Sequence, residues 1–189
     1  MSVVGDRYDR LAGEFLRRIE ATPMDRWDAP SPCEGWSARE VVAHVVVNHR
    51  MITEGALSGH FAPPGSDPRP AMDDADLAAA FDECRRRFVA LLDDPAFALH
   101  TFPAPIGLVT LERAADVIGV LELLVHTWDL ARAVGGDEKL DEEAVAATYE
   151  AIKPHYDALQ ATDAFLPRIA PPPGADVQTE FLCFLGRRP

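Results

Sequence analysis

Apolar residues recur at intervals of three and four through most of this chain, the spacing of one face of an α-helix. Over residues 3–21, Tyr8, Leu11, Phe15 and Ile19 form one stripe, and a loop with Pro23, Pro30 and Pro32 ends it. A second helix is predicted from Ser37 to about Leu57. Ser37 and Glu40 make a capping box at its start, and Val41, Val45 and Ile52 form its stripe with His44 among them. After the breaker stretch SGHFAPPGSDPRP, Asp73 or Asp74 caps a third helix carrying Leu77, Phe81, Phe88 and Leu91. The stretch DDPAFALHTFPAPIGL reads as a loop. A fourth helix, capped by Thr110, runs from about Leu111 to Val134 and stops at Gly135 and Gly136. A fifth starts at Asp141 and kinks or ends at Pro154, and a proline-rich loop then leads to the short amphipathic tail VQTEFLCFLG. There is almost no strand signal and no internal repeat. The pattern of five helical segments predicts an all-α bundle with a crossover connection, as one domain over residues 1–189.

Composition narrows the function classes. With 48% hydrophobic residues in 189, the chain can bury a proper core without staples. A formal net charge of −13 argues against nucleic acid and anionic membranes, which repel an acidic surface. The longest apolar run, GVLELLV, is too short to span a bilayer, and the N-terminus lacks the apolar core of a signal peptide. Cys33, Cys84 and Cys183 are widely spaced, with no CxxC, so neither a disulfide framework nor a structural zinc knot is expected. These features predict a soluble protein of a reducing, cytoplasmic compartment.

The fourth helix carries the candidate chemistry. It is apolar in nearly every direction, as a central helix is, yet Glu122, His126 and Asp129 lie on one side of it. Glu122 and His126 are i and i+4 neighbours, with Cβ atoms about 5–6 Å apart. Ala115, Gly119 and Ala133 fall on the same strip at about 100° per residue, and Gly119 is expected to pack on the second helix or border a pocket beside Glu122. His44 on the second helix can face this strip across the core. Two imidazoles and a carboxylate are a ligand set for a divalent metal with a coordination position left open. Zinc leads and nickel is the next candidate, since nitrogen and oxygen donors alone do not name the metal. A buried hydrogen-bonded network that only sets helix register is the competing reading. Asp129 either orients an imidazole or accepts from a loop N–H or from Trp36.

The segments around these residues are more specific than the ExxxH spacing. PCEGWSAREVVAHV, followed about eighty residues later by ELLVHTWDLARAVG, resembles an actinobacterial branch of the DinB/YfiT-like superfamily. It is most similar to the metal-binding domain of mycothiol-dependent maleylpyruvate isomerase and to related single-domain proteins. The resemblance implies an all-α four-helix bundle of up-down-down-up type, with extra C-terminal helical segments and a metal held by His44, Glu122 and His126, Glu122 standing where the commoner superfamily triad has a third histidine. It also implies a mycothiol-dependent transferase or isomerase, whose partners are a low-molecular-weight thiol and a small electrophile. The isomerase carries a further C-terminal domain that supplies part of its site. This chain ends soon after the bundle, so maleylpyruvate isomerisation itself is not expected. A metal- or ligand-binding module without turnover is the alternative, and association into a homodimer is left open.

Other residues carry weaker signals. Cys33 is read as a packing residue of its turn, with a thiol near the metal as the second reading. Trp36 and Trp128 are read as core residues that also wall a pocket. His49, five residues past His44 and about 140° off its face, is read as surface or as a neighbour of the site. His60 and His100 are placed in surface loops that line a pocket mouth together with Phe61 and Phe102, and His155 is placed on the surface. Arg85, Arg86 and Arg87 read as a solvated face, with an anchor for an acidic cofactor as the second reading.

Overall fold

The Ser2 hydroxyl accepts from the N–H of Gly5 and starts α1 (Val3–Ala21), whose Tyr8, Leu11, Phe15 and Ile19 are all buried. The computed structural model describes residues 2–60, 74–104, 107–160 and 166–189. In α2 (Ala38–Ser58), both halves of the capping box form: Ser37 accepts from the Glu40 N–H, and the Glu40 side chain accepts from the Ser37 N–H. The helix closes on Gly59, whose φ of 72° is a left-handed cap that glycine adopts without Cβ strain. α3 (Asp74–Asp93) buries Leu77, Phe81, Phe88 and Leu92; Leu92 rather than Leu91 continues the stripe. Asp73, one of its two expected caps, lies outside the described residues. A short α4 (Pro95–Ala98) is capped by Asp94.

The segment read as a loop contains an antiparallel hairpin, β1 (Thr101–Ala104) with β2 (Gly107–Thr110), in the register Thr101 to Thr110 and Phe102 to Val109. Pro103 is tolerated because this strand has one neighbour among the described residues, so its missing N–H costs no ladder bond on the open side. Phe102 is fully buried and anchors the hairpin, which packs beside α2.

Thr110 caps α5 (Leu111–Ala114), accepting from the Arg113 N–H. The expected single helix from Leu111 to Val134 is interrupted by a π-turn at Ala115–Gly119, where the Val120 N–H donates to the Ala115 carbonyl, and continues as α6 (Val120–Val134). The turn adds a residue to the helical ladder and rotates everything before it relative to α6. Gly119, the last residue of the turn, faces α1 and not the expected α2: a Cβ there would lie 3.4 Å from the Tyr8 ring.

α1 and α2 each pack on both α3 and α6. The residue contacts give the directions. Along α1, Arg7 pairs with Asp116 and Arg18 with Asp137, so α1 and α6 run together. Tyr8 stacks on Phe88 while Phe15 meets Phe81 edge-on, so α3 runs opposite to α1. Asn48 reaches Glu122 while His44 lies beside His126, so α2 runs opposite to α6. The result is an up-down-down-up bundle.

Contacts divide the chain into two compact units, Met1–Glu138 and Lys139–Pro189. In the second, Asp141 caps α7 (Glu142–Ile152), which ends where Pro154 enters a 3-10 turn (Lys153–His155) before α8 (Tyr156–Gln160). Asp176 caps α9 (Val177–Phe184), and Tyr149 and Tyr156 meet Phe184 edge-on. No helix among the described residues is long and apolar enough to cross a membrane.

Candidate metal centre

The α2–α6 contact brings His44, Glu122 and His126 together. Their donor atoms all lie within 4.8 Å of one another. Glu122 Oε2 is the common point, 3.1 Å from His44 Nε2 and 3.2 Å from His126 Nε2. Asn48, one helical turn past His44, places its amide nitrogen 2.9 Å from the same oxygen and 3.0 Å from His44 Nε2. His126 Nδ1 is 3.0 Å from Asp129 Oδ2, and the Cys33 thiol is 3.2 Å from that oxygen. Asp129 thus orients an imidazole, one of its two expected roles. Asn48 escaped the sequence reading; its i, i+4 offset from His44 was the available signal.

The turn before α2 supplies the remaining parts. The Trp36 N–H donates to the Cys33 carbonyl, and the Ser31 N–H to the Trp36 carbonyl. Gly35 has a φ of 75°, the conformation such a tight turn needs at its third residue. This closure sets Cys33 beside Asp129 and lays the Trp36 ring 4.6 Å from that of His44 and 6.2 Å from that of His126. Trp128 is a core residue, covered by Arg132 on one face of its ring.

The cluster is electrostatically unusual for a helix interface. Glu122 is 8% exposed, His126 4% and Asp129 0%. Burial disfavours the Glu122 carboxylate, but the charge and hydrogen bonds of His126 and His44 outweigh it and hold its pKa well below the usual range. Burial likewise disfavours a charged His126, yet Glu122, Asp129 and Cys33 together raise its pKa well above the usual value. Both shifts have one cause: the buried carboxylates of Glu122 and Asp129 favour positive charge at His126.

The donor set fits a divalent ion. Nitrogen and oxygen donors about 2.1 Å from an ion at tetrahedral angles stand about 3.4 Å apart, close to the separations seen here. With Nδ1–H held by Asp129, loss of the Nε2 proton to an incoming cation would present the Nε2 lone pair beside Glu122, the arrangement of a carboxylate-supported histidine ligand. His44 Nε2 cannot both accept from Asn48 and donate to Glu122, and the buried His44 Nδ1 has no protein partner among the described residues. A cation between Nε2 and the carboxylate removes that conflict.

His49 is neither on the surface nor in the cluster. It is fully buried, donates from Nδ1 to the Val45 carbonyl at 2.7 Å, and packs against Tyr8, Phe81 and Phe88. α2 is covered on two sides, by α3 and by α6, so a position about 140° from His44 meets α3 instead of water. Burial lowers the His49 pKa to about 4, leaving the ring neutral. His60, His100 and His155 are exposed, while Phe61 and most of the SGHFAPPGSDPRP stretch lie outside the described residues. Arg85 pairs with Asp9 and Asp82, Arg86 with Asp82, and Arg87 with Glu54, so these cations are neutralised within the bundle. A cavity of about 360 Å³ lined by Tyr149, Arg168, Glu180 and Phe184 among others belongs to the second unit and contains none of the candidate ligands.

The fold and site define a four-helix bundle with two imidazoles and a carboxylate converging between its second and last helices. The chain belongs to the family of the mycothiol maleylpyruvate isomerase N-terminal domain, whose model matches residues 8–131 and so includes every residue of the cluster. It is also similar to an uncharacterized protein in each of two Mycobacterium tuberculosis strains, at 27% identity over 136 residues covering 72% of this chain and 70% of the relative. No solved structure gives a significant match.

Proposed function

We propose that this chain binds a divalent metal, zinc first and nickel second, through His44, Glu122 and His126. We further propose that it acts as a mycothiol-dependent transferase or isomerase on a small electrophile. The observation that carries this reading is the convergence of the two imidazole nitrogens on Glu122 Oε2. A divalent ion with an open position lowers the pKa of a bound thiol and so supplies a thiolate nucleophile at neutral pH.

The chain's own residues do the rest. Asp129 accepts the His126 Nδ1–H and holds the ring with Nε2 presented. The Asn48 amide donates to Glu122 and sets its rotamer. Trp36 lies against both imidazoles and keeps water from that side. Side-chain exposure falls from 16% at His44 through 11% at Glu122 to 5% at His126, so a small thiol approaches from the His44 side.

A metal- or ligand-binding module without turnover is the second reading. It is favoured by the engagement of both buried carboxylates, Glu122 and Asp129, with imidazoles, which leaves neither placed as a general base. Elemental analysis followed by calorimetric titration with mycothiol separates the readings. The transferase reading requires that the metal-loaded protein bind mycothiol and that His126→Ala abolish binding. Metal-loaded protein that binds no low-molecular-weight thiol leaves the module.

A further inference from the structure

The imidazole of His126 has a second nitrogen with its own set of donors. Donor atoms of His126, Asp129 and Cys33 lie within 4.8 Å of one another, with Asp129 Oδ2 3.0 Å from His126 Nδ1 and 3.2 Å from Cys33 Sγ, while the other ring nitrogen, Nε2, faces Glu122. We propose that these three atoms form a second cation seat, back to back with the first across the His126 ring and selective for thiophilic divalent ions.

Geometry and chemistry both support it. A sulfur about 2.3 Å and an oxygen about 2.0 Å from a tetrahedral ion stand about 3.5 Å apart. The Cys33–Asp129 separation is 3.2 Å and the His126–Asp129 separation 3.0 Å, so small side-chain rotations open the seat. The Cys33 thiol is half-buried, while Asp129 and His126 are buried beneath it, so an ion enters from the cysteine side and its thiol proton leaves to solvent. The two seats differ in softness. The first offers nitrogen and oxygen; the second adds a thiolate, which favours cadmium and zinc over manganese or nickel.

The shared ring couples the seats. A neutral imidazole has one lone pair, so it serves one seat at a time. An ion at Nδ1 sends the ring proton to Nε2, where Glu122 Oε2 accepts it. The chain then holds one ion in total, and the ion's softness selects the side.

The test is a titration of the metal-stripped full chain with cadmium and, separately, with nickel. It follows the thiolate-to-cadmium ultraviolet charge-transfer band and uses the variants Cys33→Ser and His44→Gln. Serine keeps a hydrogen-bond donor for Asp129, so the turn survives. Wild type is expected to take one equivalent of cadmium with the band present. Cys33→Ser should lose the band and about tenfold or more in cadmium affinity, whereas His44→Gln should keep the band with affinity within about threefold. Nickel should show the reverse dependence, and cadmium should block nickel. The proposal is overturned if wild type shows no band, if the band survives in Cys33→Ser, or if His44→Gln removes it, which would make the sulfur a ligand of the first seat. Nickel binding that ignores His44 would instead count against the first seat and leave the cadmium result standing.

Discussion

Glu122→Gln tests the centre directly, because glutamine keeps the shape of the side chain and removes only its charge. In the metal-free protein, Oε2 meets His44, His126 and Asn48 at 3.1, 3.2 and 2.9 Å. A glutamine oxygen still accepts from His126 and Asn48, so what is lost is charge assistance, worth about 1 kcal/mol per hydrogen bond. His126 retains Asp129 as a partner, so no buried charge is stranded. The metal-free variant is therefore expected to lose only about 1–2 kcal/mol of stability. Metal binding responds far more. Removing a hydrogen-bonding partner of a ligand costs about 10–100-fold in affinity, so replacing the carboxylate ligand itself should cost at least about 100-fold. At a free zinc concentration of about 100 times the wild-type Kd, zinc stabilises wild type by about 2.7 kcal/mol and the variant by about 0.4 kcal/mol. For a chain of this size that is a Tm increase of about 8 °C against about 1 °C. Differential scanning calorimetry with and without zinc reads both quantities. Equal zinc-induced shifts in the two proteins would remove Glu122 from the ligand set. No shift in wild type would favour a network that serves only to fix helix register.

Asp129→Asn should fold and lower zinc affinity by about 10–100-fold, measured by competition with a chromogenic chelator; unchanged affinity would limit Asp129 to a structural role. Stability of the metal-free protein should fall with acid through His49: its folded pKa of about 4 lies below the ordinary 6.5, so the unfolded chain binds more protons as pH drops from 6.5 to 4. That contribution is about 3 kcal/mol, and His49→Phe should flatten this part of a urea-melt pH series while keeping the tilted ring contacts with Tyr8 and Phe88; an unchanged slope would show that His49 does not cause it. Gly119→Ala should be tolerated, since its Cβ meets Tyr8 at 3.4 Å. Gly119→Leu should destabilise by about 1–3 kcal/mol while zinc affinity per folded molecule stays unchanged; a selective loss of affinity would return Gly119 to the pocket.

Helix positions and ends were legible in the sequence because they depend on local chemistry. Ser37 with Glu40, Thr110, Asp141 and the glycine after Val134 act on backbone groups within a turn of themselves, and each acts as read. The i, i+4 relation of Glu122 and His126 is equally local, and the pattern placed it on a helix buried all round. The resemblance carried by PCEGW and HTWDLA supplied the four-helix class and implied the same pairing of His44 with that strip that the helix faces suggested. What escaped depended on contacts between segments distant in sequence. Pairing of residues 101–104 with 107–110 needs the buried Phe102 to anchor it, and the proline spacing hid it. The π-turn before Val120 leaves no mark in a pattern read at a constant 100° per residue, and that Gly119 meets Tyr8 depends on where α1 packs. His49 reads as surface or as a neighbour of the site because the angle on one helix does not say how many neighbours surround that helix; α3 covers that side. Cys33 looked like a packing residue for the same reason. Its thiol reaches Asp129 only because a chain reversal at Gly35 and the α2–α6 contact bring together side chains 96 positions apart.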